Sequence, residues 1–176
     1  MLARLLAFQG RDCVIDGVEP VHVAQKAARF HYRSLFCGTV DEFVSAGSDR
    51  DCVKYDFIVM ADVLEHIVNS MPTLLQLKRL LAPNGKLIIS TPNVAFASVR
   101  LALMKGQFGY VDSRILERTN LRFYTLKSLR VLFNAAGLNP HSQFHCLRDP
   151  RHTEIGVESF PMSSVILRIL QIDELA

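Results

Sequence analysis

The chain has 176 residues, of which 49% are hydrophobic and 21% charged, an ordinary globular composition for one domain over 1–176. A formal net charge of +3 is too small to single out nucleic acid as a partner, and no window approaches the roughly 18 uninterrupted apolar residues of a membrane span. The four cysteines, Cys13, Cys37, Cys52 and Cys146, form no C-x-x-C pair and no zinc spacing, so reduced, buried thiols in a cytoplasmic protein are expected and no metal centre is. The opening MLARLLAFQG is too short for a signal h-region and has no A-x-A site. Residues 1–9 read instead as a helix stopped by Gly10.

Residues 13–18, followed by Glu19 and Pro20, read as a strand ending in an acid. A helix is predicted over 21–29, a short strand over 34–37 closed by Gly38, a single helical turn over 40–46 and a polar loop over 47–51. The run YDFIVMA at 55–61 is nearly continuous in apolar residues, as in a strand buried on both faces. Ser70 can cap the next helix, Pro72 sits in its first turn, and Leu74, Leu77 and Leu81 recur at helical spacing. Pro83-Asn84-Gly85 breaks that helix, and KLIIST at 86–91 reads as another buried strand. Thr125 is placed to cap a helix carrying Leu129, Leu132, Phe133 and Ala136 on one face, with Gly137 ending it. A strand over 142–147, a loop over 148–161 and an amphipathic helix, or a strand, within 162–175 complete the reading. Strands alternating with helices predict an α/β fold, a mostly parallel sheet covered by helices on both faces.

In such sheets ligands bind beyond the carboxyl ends of the strands. The first of those ends carries Glu19, whose carboxylate could accept hydrogen bonds from a ribose diol or could simply be a solvated terminus. The second carries Gly38-Thr39-Val40-Asp41, where an acid or a main-chain group could meet the amine of an adenine. The third carries Ala61-Asp62, followed by Val63-Leu64-Glu65-His66. A carboxylate beside an imidazole can do acid–base work or hold a metal, and it can equally just hydrogen-bond a loop to the next helix.

The run YDFIVMADVLEHI at 55–67, followed by LAPNGKLIISTPN at 81–93, resembles the fourth and fifth strand motifs of class I S-adenosylmethionine-dependent methyltransferases. VIDGVEP at 14–20 resembles their second strand with its ribose-binding acid. Residues 99–138, from VRLALMKGQFGY to VLFNAAGL, resemble a bacterial subgroup found with glycan, cell-envelope or methionine-related genes. The resemblance covers about residues 2–172 and implies a Rossmann-like fold with S-adenosylmethionine as cofactor. It implies that Glu19 binds the ribose, that the main chain of Thr39 and Val40 with Asp41 frames the adenine, and that Ala61 and Asp62 line the cofactor's other side. Glu65 and His66 would then stand on the acceptor side, with His66 as general base, and Arg118, Asn120 and Arg122 in a substrate-facing loop. The two cations suggest an anionic acceptor, a sugar phosphate or a carboxylate, within a small-molecule or glycan-type class.

The family's D-x-G-x-G-x-G turn is absent from the sequence, and position 39 is threonine where the subgroup usually has aspartate. The family's first strand and its last are accordingly expected to be missing. Cofactor binding is then weak or absent, and exposed sheet edges allow self-association. An inactive remnant or a partner subunit is the main alternative. A nicotinamide-dependent oxidoreductase would also explain Glu19 but leaves residues 62–66 unexplained.

Overall fold

A computed structural model describes residues 13–21, 32–46, 53–112 and 115–145. The helix expected over 1–9, nearly all of that over 21–29, the loop over 148–161 and the element within 162–175 lie outside the described residues. The chain divides into two compact units, Met1–Asp56 with Pro72–Gly85, and Phe57–Met71 with Lys86–Ala176.

In the first unit, β1 (Asp16–Glu19) pairs in parallel with β2 (Ser34–Cys37), from Asp16 opposite Ser34 to Glu19 opposite Cys37. β1 starts at Asp16 rather than Cys13. There the carboxylate takes the Arg33 guanidinium on both oxygens and the Tyr55 hydroxyl at 3.0 Å. The Arg33 hydrogen bond holds the Asp16 carboxyl below its ordinary range. Gly17 is closely packed: a Cβ would lie 2.8 Å from the Leu35 side chain and 2.9 Å from the Tyr32 ring, so these side chains would have to shift. Helix α1 (Val40–Ser45) is capped by Thr39, whose hydroxyl accepts from the Glu42 N–H while the Glu42 carboxylate accepts from the Thr39 N–H.

Three elements run across the division of the chain: β3 (Tyr55–Ala61), helix α2 (Ser70–Leu80) and β4 (Leu81–Ser90), with β3 and β4 hydrogen-bonded neighbours. Leu74 and Leu77 are buried on α2, as their spacing predicts, and Leu80 beside them is buried too. Leu81 does not continue that face; it opens β4. Pro83-Asn84-Gly85 lies inside this strand as a kink, with Asn84 at φ 65°. Gly85 is confined by backbone, since a Cβ would lie 2.8 Å from the Tyr55 carbonyl oxygen. The expectation that β3 and β4 are buried on both faces is not met. Met60 is buried in β3, whereas Phe57 is 60% and Val59 42% exposed, and Ile88 in β4 is 50% exposed. Burial on both faces needs a covering layer on each, which the exposed Phe57, Val59 and Ile88 side chains do not have. The described strands form two two-stranded sheets, β1 with β2 and β3 with β4.

The second unit adds a 3-10 turn (Leu64–His66), helix α3 (Ala97–Met104) and helix α4 (Leu126–Ala135). α3 was not expected as a separate element. Its buried residues Ala97, Ser98, Val99 and Ala102 are small, so its apolar stripe is faint in the sequence. α4 follows the expectation closely. Thr125 caps it reciprocally with Ser128, Leu129, Leu132 and Phe133 are half-buried, Ala136 is buried, and Gly137 at φ 64° ends it. Residues 142–145 are not strand. Cys13 and Cys37 are exposed free thiols, contrary to the buried expectation, because they lie just before β1 and at the end of β2. No helix among the described residues is long and apolar enough to cross a membrane.

Candidate functional site

Within the second unit, polar groups gather where β3 and β4 end. Asp62 leaves β3 in the left-handed region at φ 52°, a conformation that aspartate tolerates better than most side chains. Its N–H donates to the Ser90 carbonyl and hydroxyl oxygens, both at 3.1 Å, and the Ser90 hydroxyl donates to the Asp62 carboxylate at 2.8 Å. This reciprocal pair fixes the exit from both strands. The chain then enters the Leu64–His66 turn, in which Leu64 and Glu65 are buried.

Glu65 is a buried carboxyl with polar neighbours. It is 2% exposed and accepts a hydrogen bond from the Thr91 hydroxyl at 3.0 Å. Burial pushes its pKa up, and the nearby Asp62 charge adds to this; a main-chain hydrogen bond, Thr91 and His66 oppose it. His66 is exposed, and its Nδ1 lies 3.0 Å from the Thr119 carbonyl oxygen. A carbonyl only accepts, so Nδ1 carries the proton and the neutral ring keeps Nε2 as its acceptor. With the ring oriented through Nδ1, Nε2 is the nitrogen that can accept a proton or a hydrogen bond.

The raised Glu65 pKa has a definite sign. The folded state holds the Glu65 proton more tightly than the unfolded chain. The resulting stabilisation is full below the ordinary value of 4.5 and is lost as pH rises through the higher folded value. Glu65→Gln keeps an acceptor for Thr91 without a charge. Urea unfolding across this window should show stability declining with pH in the parent and a shallower decline in the variant. Parallel profiles would show that Glu65 titrates normally.

The segment 115–124 is pinned to this turn. The N–H groups of Leu121 and Arg122 both donate to the Glu65 carbonyl at 2.9 Å. The Arg122 guanidinium donates to the Val68 carbonyl through Nε at 3.2 Å and Nη2 at 2.6 Å. Asn120 is buried, and its amide donates to the Ile115 carbonyl at 3.1 Å, so it braces the segment from inside. Arg118 pairs with Asp112 at 3.1 Å with both side chains exposed, an ion pair of little energetic weight. Tyr124 is buried; its hydroxyl shares a 2.6 Å hydrogen bond with Ser70, and its carbonyl accepts from Val94 N–H at 2.8 Å.

The structure thus brings Asp62, Glu65, His66 and the 118–122 segment together, with Ala61 exposed at the end of β3. The remaining expected residues belong to the first unit. Glu19 ends β1 half-buried, and its Oε1 accepts from the Val21 N–H at 2.9 Å. The Thr39 N–H and hydroxyl are engaged with Glu42, whose carboxyl is held below its usual range chiefly by the Thr39 N–H. Val40 is the first residue of α1, and the Asp41 carboxylate accepts from the buried Thr73 hydroxyl at 2.6 Å. Sequence reasoning passed over Ser90, Thr91 and Thr73. For the first two the signal was present, since hydroxyl residues closing an apolar strand stand where open sheets bind ligands.

Residues 1–143 match a family model described as a methyltransferase domain. The chain is similar to a ubiquinone biosynthesis O-methyltransferase of Histophilus somni, 26% identical over 117 residues, covering 61% of this chain and 47% of that protein. A protein of the same description from Azorhizobium caulinodans is 28% identical over 166 residues, covering 88% of this chain and 60% of its own. The chain therefore spans about half the length of the curated relatives it matches. A solved structure from Thermotoga maritima, described as a SAM-dependent methyltransferase and possible histamine N-methyltransferase, shares the fold. Its TM-score is 0.51 at 20% identity, over 76% of this chain and 57% of that one. Since the family model runs through both units and across the ends of β3 and β4, the chain belongs to the class I S-adenosylmethionine-dependent methyltransferase family.

Proposed function

We propose that the protein serves methyl transfer from S-adenosylmethionine to a small-molecule or glycan-type acceptor bearing an anionic group. The observation that carries this reading is the orientation of His66 by the Thr119 carbonyl, beside the buried Glu65 and the exposed Arg118 and Arg122. Glu19 fits a ribose diol in chemistry, being a half-buried carboxylate at the carboxyl end of a parallel strand pair. The family resemblance assigns the adenine to Thr39, Val40 and Asp41, and the cofactor's other side to Ala61 and Asp62.

When bound, the cofactor supplies an electrophilic methyl group on a sulfonium. The chain's own part is to hold the acceptor in line, to exclude water and to receive its proton at His66 Nε2. Arg122 would bind the acceptor's anionic group, and Asn120 would act through the segment it braces.

Titration of the 176-residue chain with S-adenosylhomocysteine and with NAD separates a methyltransferase from a nicotinamide-dependent oxidoreductase. We expect S-adenosylhomocysteine to bind weakly, with Kd about 1 mM or above, equivalent to about −4 kcal/mol, and NAD not to bind. Glu19→Ala should weaken the S-adenosylhomocysteine signal about 10-fold or more, in a variant that still melts cooperatively. Tighter binding of NAD would overturn the methyltransferase reading, and an unchanged signal in Glu19→Ala would remove Glu19 from the site.

A further inference from the structure

His66 is exposed, so packing does little to hold its ring. The direction of Nε2 rests on the 3.0 Å contact between Nδ1 and the Thr119 carbonyl. Thr119 is exposed as well, and its own hydroxyl is turned to Glu117 at 2.6 Å. Asn120 ties the segment to itself at the Ile115 carbonyl, and Tyr124 anchors it at Ser70, well beyond Thr119. None of these bonds says where Thr119 lies against the turn.

Two other contacts do. The Leu121 and Arg122 N–H groups converge on one acceptor, the Glu65 carbonyl, both at 2.9 Å. Glu65 is buried and bonded to Thr91, so this is a fixed point. Two donors on a single oxygen still form a pivot, about which a segment can swing. The second anchor stops the swing: the Arg122 guanidinium reaches past the pivot and donates Nε and Nη2 to the Val68 carbonyl at 3.2 and 2.6 Å. A planar fork closing on one oxygen fixes direction as well as distance. The turn is thus gripped at Glu65 and Val68, on either side of His66, by the strand of chain that presents Thr119.

We propose that Arg122 is a positioning residue for His66, whose clamp on the Val68 carbonyl holds the Thr119 carbonyl against Nδ1 and keeps Nε2 free of hydrogen. Nη1 takes no part in the clamp and is left for an anionic acceptor group. That the held nitrogen serves methyl transfer rests on the methyltransferase reading; the tautomer does not.

Val68 is exposed, so water can replace Arg122 on its carbonyl and the clamp adds little stability. A purely structural Arg122, or one that only binds an anion, would leave the His66 ring unchanged. The test is therefore nitrogen NMR of the histidine rings in the 15N-labelled 176-residue chain, at about pH 8.5, where an ordinary histidine is neutral. The shifts of the two ring nitrogens report which of them carries the hydrogen. Loss of one ring's signals in His66→Gln assigns His66 among the six histidines. The parent should carry the hydrogen on Nδ1. Arg122→Met and Arg122→Gln should show a mixture of both tautomers, because a ring without its carbonyl partner can hold the hydrogen on either nitrogen. Arg122→Lys, which keeps a donor but not the fork, should recover part of the Nδ1 form. Each should melt within about 2 °C of the parent. Arg118→Met is the control: the side chain next to Thr119 pairs with Asp112 instead, and its loss should leave the ring as in the parent.

Hydrogen on Nε2 in the parent, or a parental ring in folded Arg122→Met or Arg122→Gln, would overturn the proposal. So would an equal change in Arg118→Met, which would mean that any loosening of the segment releases the ring. The spectra are taken without cofactor or acceptor. Their failure leaves the methyltransferase reading to the titration with S-adenosylhomocysteine and NAD, and tighter NAD binding there would leave the clamp standing.

Discussion

Leu64→Ala is expected to lower the unfolding free energy by about 2–5 kcal/mol, a range set by how far the surroundings collapse into the space left. Leu64 is fully buried, yet it sits in a three-residue 3-10 turn, so little regular structure supports its position. The neighbouring Glu65 carbonyl receives two N–H groups from the 121–122 segment, and Glu65 itself is held by Thr91. Shrinking Leu64 therefore loosens the turn that orients His66 as well as the core. Val68, 54% exposed, is the internal control: Val68→Ala should change stability by no more than about 0.5 kcal/mol. Urea unfolding of both variants measures the contrast, and equal small effects would show that Leu64 is not an anchor.

That contrast also shows where sequence reading stops. In DVLEHIV the apolar residues Val63, Leu64, Ile67 and Val68 look alike, but Leu64 and Ile67 are buried and Val68 is not. A short turn has no period to reveal which side faces inward. Where a period or a cap existed, the residues announced their places. Thr125 and Gly137 bracket α4, and Leu74 and Leu77 lie buried on α2. That Glu65 and His66 lie beyond the end of β3 was legible too, because the apolar strand cannot continue through them. What was hidden was long-range. Nothing in the local pattern says that Glu65 meets Thr91, that His66 meets Thr119, or that Asp16 takes both Arg33 and Tyr55. Asn120 shows the converse. Its neighbours Arg118 and Arg122 suggested a residue open to ligand, whereas its amide is buried on the Ile115 carbonyl.

The second large effect is expected at Tyr124. Its ring is buried and its hydroxyl shares a hydrogen bond with Ser70, itself 7% exposed at the start of α2. Tyr124→Ala removes the ring and should cost about 3–5 kcal/mol. Tyr124→Phe keeps the ring and leaves the Ser70 hydroxyl buried without this partner, a loss of about 1–3 kcal/mol. Ser70→Ala strands the tyrosine hydroxyl in the same way. The double variant Ser70→Ala with Tyr124→Phe has no stranded group at this contact, so its cost should fall below the sum of the two single costs by about 1 kcal/mol. Because Tyr124 closes the 115–124 segment and its carbonyl accepts from Val94, losing the ring should also unpin that segment from the exit of β4. Hydrogen exchange at the Leu121 and Arg122 amides reads this directly: faster exchange in Tyr124→Ala under conditions where the protein remains folded, and near-parental exchange in Tyr124→Phe. Additive costs in the double-mutant cycle would mean that the two hydroxyls do not depend on each other. Unchanged amide exchange in Tyr124→Ala would mean that the segment is held through Glu65 alone.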